Sequence, residues 1–387
     1  MKQAVVLIHG IGEQKPMDTL RGFVSAVLKP APAGKEQFWS KPDPLSCLFE
    51  LRRLQSTGRT KTHFYEYYWA YHVEGTKLSH LGRWFFDLLL RRPRDVPRSL
   101  TVVWALFWMF TLSLIGLIVS GVATQYYTQY DQLKSYQVSW IAVTGAIAVV
   151  QTILVAYIGD AARYLSSHPQ NIALRQKIRA DGVALLKQLH EVGKYDRIIV
   201  VGHSLGSVIA YDIISRLWSE YNEQYDFRAR ENELEAMLAA GQAPQPNIRH
   251  NLYQSGLLLK ANSPAPNVID PNDPLTLFRQ AQVQAWKEQK HWGNPWRISD
   301  FVSIGSPLAH ALLLLSSDQQ EFEQRQRQRE LPTCPPTKEG KGYAYAHSNN
   351  LRLKSGKIFT PLTLHHAAAF AVTRWTNLYF PAFFGLF

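Results

Sequence analysis

One stretch of the chain carries the residue types for nucleophilic chemistry: Arg197 to Tyr211, RIIVVGHSLGSVIAY. Ser204 stands between Gly202 and Gly206, after an apolar β-branched run and before a helical pattern. A serine hydroxyl becomes a usable nucleophile when a tight strand-to-helix turn holds it clear of the sheet. Flanking glycines remove side chains that would strike the neighbouring strand and helix. The helix N-terminus that follows stabilises negative charge developing beside the hydroxyl. A second motif, Ile8-His9-Gly10-Ile11-Gly12, follows the apolar run Ala4–Ile8 at the start of the chain. A glycine-rich loop there can turn backbone N–H groups toward an oxyanion. In that role the N–H groups of Ile11 and Leu205 act, with Gly10 and Gly12 shaping one loop and Gly202 and Gly206 the other. His9 is read as a residue that shapes its loop.

The elements that must position these groups alternate between strand and helix. Strands are expected at Val5–Ile8, Cys47–Leu54, His63–Trp69, Ile198–Val201, Asp300–Ile304 and Arg374–Tyr379. Helices are expected at Met17–Leu28, Asn171–His190 and Gly206–Trp218. The fold class expected is α/β: a mostly parallel sheet flanked by helices. Tyr221–Gln245 and Gln319–Lys341 read as surface excursions, poor in core residues.

Two segments break with this pattern. Leu100–Val122 and Val138–Ile158 carry no charged residue, and each is long enough to cross a hydrocarbon core of about 30 Å as a helix. Arg91, Arg92, Arg94 and Arg98 precede them; Arg163, Arg175, Lys177 and Arg179 follow. By the positive-inside rule they form a transmembrane hairpin, over 99–160, in an inner or plasma membrane, with both termini cytoplasmic. Residues 1–98 and 161–387 are then the two parts of one α/β domain. Leu78–Leu90, apolar and followed by arginines, reads as an interfacial helix or as one packed on the sheet.

The net charge of +12 suits an anionic leaflet. The basic residues are dispersed and form no nucleic-acid motif. Two cysteines far apart make neither a disulfide framework nor a zinc pattern, and no metal or cofactor is implied. Two uncharged spans offer no ion path, which argues against a channel.

HGIG after the first strand, GHSLG after a later one and Asp300–Leu308 (DFVSIGSPL) together resemble the α/β-hydrolase superfamily, on its lipase and esterase side. The resemblance covers residues 1–75 and roughly 165–387, with the hairpin as an insertion. It implies a serine hydrolase acting on a lipid or acyl ester at a membrane, with Ser204 as nucleophile. It also implies an acid after the strand near residue 376 and a histidine beyond it. PAFFGLF after Phe380 offers neither, which departs from the family pattern. His365 and His366 are the stand-ins for the base, with His347 behind them. Asp300, at the wrong end of its strand, Asp212 and Asp318 are the nearby acids. The alternative is a non-catalytic or C-terminally shortened hydrolase-like membrane protein.

Overall fold

The structure is a computed structural model. It describes residues 1–10, 15–28, 36–46, 48–58, 60–72, 164, 169–191, 195–258, 273–316, 318–340 and 342–379, with scattered positions between 104 and 116.

Seven strands form the central sheet: β1 (Lys2–Ile8), β2 (Phe38–Pro42), β3 (Arg52–Ser56), β4 (Lys61–Tyr67), β5 (Arg197–His203), β6 (Ile298–Ile304) and β7 (Arg374–Leu378). Their order is β7-β6-β5-β1-β4-β3-β2. β7, β6, β5, β1 and β4 run parallel; β3 and β2 add an antiparallel hairpin at one edge. The parallel register aligns Ile8 with Tyr67 and with Gly202. The carboxyl ends of the parallel strands therefore share one edge.

Four helices cover the sheet: α1 (Asp18–Val27), α2 (Pro169–Glu191), α3 (Leu205–Tyr221) and α4 (Pro274–His291). Side chains alternate across each strand. Ala4, Val6 and Ile8 of β1 pack toward α2, α3 and α4 with Tyr65, Tyr67, Ile198 and Val200. Val5 and Leu7 pack toward α1 with Leu54, Phe64 and Val201. Burial on both faces explains why β1 and β5 read as continuous apolar runs rather than alternating ones.

Several expectations are corrected. The strand expected at Cys47–Leu54 begins at Arg52, and β2 was not anticipated; Cys47 lies outside the described residues. The excursion Tyr221–Gln245 holds a helix, Glu231–Ala239, whose Leu234 is buried with Phe227 and Trp292 in a small apolar cluster. Gln319–Arg327 is a helix with no buried residue, in keeping with a surface excursion.

The expected hairpin lies almost wholly outside the described residues, as does Leu78–Leu90. Positions 104–105, 108–109, 111–113 and 115–116 are helical. Met109, Leu112 and Ile115, three residues apart and so on one side of a helix, are 48%, 59% and 50% exposed. No helix among the described residues is long and apolar enough to cross a membrane.

Candidate active site

β5 delivers Ser204 to the carboxyl edge, and α3 begins at the next residue. Ser204 has φ 50° and ψ −126°, a left-handed conformation that an L-residue adopts at a cost of about 1–3 kcal/mol. The surroundings enforce it. The Ser204 N–H donates to Ile304 O of β6 at 2.9 Å, and Ser204 O accepts from Ser207 N at 3.0 Å. Ser207 Oγ lies 2.5 Å from Ser204 O and 2.6 Å from Ser306 Oγ. A hydroxyl has one proton, so Ser207 donates to Ser204 O while Ser306 donates to Ser207. The Gly305-Ser306-Pro307 turn thus braces the elbow from the next strand.

The glycines mark close approaches. A Cβ on Gly206 would lie 2.2 Å from Ile8 O and 2.4 Å from His9 O, and one on Gly202 would lie 2.4 Å from Ser207 Cα. A Cβ on Gly10 would lie 2.9 Å from Ser204 Cβ and 3.1 Å from His203 Nδ1. The fold therefore brings the two sequence motifs into contact: the start of the HGIG loop lies against Ser204. Leu205 is buried as the first residue of α3, where an α-helix has N–H groups with no acceptor inside the helix. Ile11 and Gly12 lie outside the described residues.

His9 shapes this loop. It is fully buried, stacks on Trp69 with ring centroids 5.1 Å apart, and its carbonyl accepts from Trp69 Nε1 at 2.9 Å. Its Nδ1 donates to Gly10 O at 2.9 Å, and its Nε2 accepts from Trp69 N at 3.3 Å. That pattern needs a neutral ring.

His365 repeats the pattern elsewhere. Nε2 donates to Thr337 O at 2.7 Å and Nδ1 accepts from Ala367 N at 3.2 Å. Its carbonyl accepts from Trp218 Nε1 at 3.0 Å, near the C-terminal end of α3. Trp218 lies thirteen positions along α3 from Leu205, about 20 Å at 1.5 Å per residue. The structure does not bring His365 to Ser204, and both of its ring nitrogens are engaged. His366 is exposed beside it, the two rings 6.1 Å apart. His347 faces Glu223, just beyond α3, at 3.7 Å. The expected bases thus gather at the far end of the helix that Ser204 begins.

The acids have structural partners. Asp300 accepts from Arg374 Nε at 2.7 Å across β6 and β7, at the amino ends of those strands. Asp212 accepts from Arg179 Nε at 2.9 Å and from Tyr164 Oη at 2.7 Å. Asp318 caps the helix Gln319–Arg327 by accepting from Glu321 N at 2.8 Å. Among the described residues no hydrogen bond reaches Ser204 Oγ from an imidazole, and no cluster of histidine, cysteine and acidic residues is arranged to hold a metal.

Burial holds His9, His365 and His190 each down to a pKa of about 4, chiefly through desolvation. His190 follows the same scheme, donating to Leu186 O and accepting from Arg297 N. A folded pKa below the ordinary 6.5 gives stability that is complete above that pH and lost as pH falls toward 4. The expected loss is about 1.4 kcal/mol per pH unit per imidazole in that window. Urea unfolding near pH 7, 5.5 and 4.5 reads it directly.

One residue of this edge escaped sequence reading. Glu66, in β4, is 3% exposed, and its Oε2 accepts from Met17 N at 2.6 Å, pinning the chain just after the HGIG loop. Its Oε1 is buried and has no partner among the described residues. Desolvation, with Asp18 nearby, pushes its pKa up to about 7. A folded pKa above the ordinary 4.5 means that stability is present below pH 4.5 and is lost as pH rises through 7. Glu66→Gln should therefore gain on the parent by about 2–3 kcal/mol between about pH 5 and pH 8, measured by denaturant melts. The available signal was one carboxylate inside the apolar run His63–Trp69.

Together these features define an α/β protein with a strained serine at the carboxyl edge of a mostly parallel sheet. A scan against protein-family models and comparisons with curated proteins and solved structures found no match.

Proposed function

We propose that this chain is a serine ester hydrolase of the α/β-hydrolase type, held at a membrane by the segment between residues 72 and 164. The observation that carries the reading is Ser204 at φ 50°, in contact range of Gly10. Strain of this kind is kept where a hydroxyl must be presented for chemistry. Ser204 Oγ bonds to the ester carbonyl carbon. The tetrahedral oxyanion sits at the N-terminus of α3, against Leu205 N–H and the HGIG loop. The ester C–O bond breaks and the alcohol leaves with the serine proton, relayed by a base. Water then cleaves the acyl-serine, which releases the carboxylic acid and returns a proton to Oγ. The two uncharged sequence segments support the membrane attachment, as do the half-exposed Met109, Leu112 and Ile115.

A second reading, a hydrolase-like protein that does no chemistry, draws on the placement of His347 and His365 at the far end of α3. Turnover of p-nitrophenyl butyrate by the detergent-solubilised full chain, beside Ser204→Ala, separates the two. Turnover lost in the variant supports the hydrolase. No turnover by the folded parent supports the second reading.

A further inference from the structure

Strand alternation and register decide which side chains share a face of the sheet. On β1, Ala4, Val6 and Ile8 face α2, and Lys2 shares their side by alternation. β4 pairs in register, Lys2 with Lys61, Ala4 with His63 and Val6 with Tyr65, so these three stand on the same face. β3 sets Gln55 beside His63. Its Leu54 packs toward α1, which leaves Arg53 and Gln55 on the α2 side. β2 then sets Lys41 beside Arg53. Across four strands this face carries Lys2, Lys61, Arg53 and Lys41, and none of the strand residues on it is a carboxylate. The acid of these strands, Glu66, points to the other face.

A hydrogen-bonded cluster lies at its centre. Tyr195 Oη is 2.6 Å from His63 Nδ1 and 2.6 Å from Tyr65 Oη, and the Arg53 guanidinium lies against both tyrosine hydroxyls. Burial, with the charges of Arg53, Lys2, Lys41 and Lys61, holds the His63 pKa down to about 4, so its ring is neutral at pH 7. Tyr195 then donates to Nδ1 and Tyr65 to Tyr195, and His63 Nε2–H is a donor with no acceptor among the described residues. Arg53 Nε–H is buried and also lacks one there. Two acids stand close by and are engaged with main chain: Asp43 accepts from Leu45 N at 2.9 Å and Asp196 from Lys2 N at 2.7 Å. A buried guanidinium N–H without an acceptor costs stability. Guarding the sheet edge against pairing explains a lysine on β2. It does not explain Lys2, Lys61 and Arg53, which stand on inner strands.

We propose that this face is an anion site for a phosphate group, with Arg53 at its centre and Lys41, Lys61 and His63 around it. A phosphate supplies acceptor oxygens to N–H groups that have none, and a guanidinium meets it with more than one N–H. The same group arrives as free phosphate or a phosphomonoester, or as the headgroup of an anionic lipid. Lys2 and Lys61 open β1 and β4, so the site lies toward the amino ends of the parallel strands, away from Ser204 at their carboxyl edge. It stands or falls apart from the hydrolase reading.

The test is isothermal titration calorimetry of the detergent-solubilised full chain at an ionic strength of about 0.15 M. One arm adds inorganic phosphate. The other adds detergent micelles carrying dioctanoyl phosphatidic acid, with dioctanoyl phosphatidylcholine as reference. The expected result is saturable binding of one phosphate group per chain. Arg53→Lys weakens it about 10- to 100-fold, and the double variant Lys41→Ala, Lys61→Ala about 3- to 10-fold. Ser204→Ala binds as the parent does. Both lysines are exposed, so the double variant keeps the fold and decides the matter should Arg53→Lys fail to fold. Binding of inorganic phosphate with this dependence supports the site and identifies a soluble ligand; binding of phosphatidic acid alone, with the same dependence, supports it with a lipid headgroup as the ligand. Saturable binding in neither arm, or binding that the folded variants leave unchanged, overturns the proposal.

Discussion

Gly206→Ala is expected to destabilise the chain by about 3 kcal/mol or more. The added Cβ would lie 2.2 Å from Ile8 O and 2.4 Å from His9 O. Both contacts are to backbone of the central strand, so no rotamer change relieves them. α3 must move away from β1, and with it go the buried contacts of Leu205, Val208 and Ile209. Gly22→Ala is the control. It is also a helix glycine, within Asp18–Val27, but its Cβ would meet nothing within 4 Å. There alanine is expected to be neutral or to stabilise by up to about 1 kcal/mol, because it lowers the entropy of the unfolded chain and favours helix. The urea midpoint of Gly206→Ala should fall well below the parent's, while that of Gly22→Ala stays at or above it. Similar midpoints would mean that α3 does not sit against β1 as described.

Ser204→Gly should raise stability and abolish chemistry together. Glycine adopts positive φ without the steric penalty of a Cβ, so relief at φ 50° is worth about 1 kcal/mol. Ser204→Ala keeps the penalty and should melt close to the parent. Both variants lose the nucleophile, and ester turnover should fall about 10 000-fold or more in each. This pairing distinguishes a strained functional residue from an ordinary turn. In an ordinary turn the glycine variant would gain no stability over the alanine variant.

The strand, the turn and the helix around Ser204 were legible because local patterning and tertiary burial agree there. Ile198–Val201 is apolar on both faces, and the glycines stand where backbone approaches backbone. The hairpin of β2 and β3 was not legible. RRLQS and FWSKP lie at the sheet edge with one side to solvent, so their burial follows from neighbours rather than from an apolar run. Cys47–Leu54 misled for the related reason that Leu48 and Leu51 pack against the α1 side from a turn, not from a strand. Tyr221–Gln245 looked too polar for the core, yet the buried Leu234 and Phe227, with Met237 and Leu238 packed against them, anchor its helix.

The candidate base was the least legible part. PLTLHHAAAF offers two histidines with no local cue to their direction. In the fold His365 binds the main chain on both sides and supports Trp218 at the far end of α3. Glu66 was hidden for the opposite reason. A carboxylate within HFYEYYW suggests a solvent-facing position on a strand, whereas β4 is flanked by β1 on one side and β3 on the other, and Glu66 is buried. Sequence spacing records which residues are present; the register of neighbouring strands decides which of them meet.

The central claim is that Ser204 is an activated nucleophile. The most direct measurement is the reaction of the folded full chain with a fluorophosphonate, mapped by mass spectrometry of its peptides, with Ser204→Ala alongside. The expected result is a single adduct on the peptide containing Ser204, absent from the variant. A folded chain that stays unmodified while a known serine hydrolase in the same tube is fully labelled would contradict it.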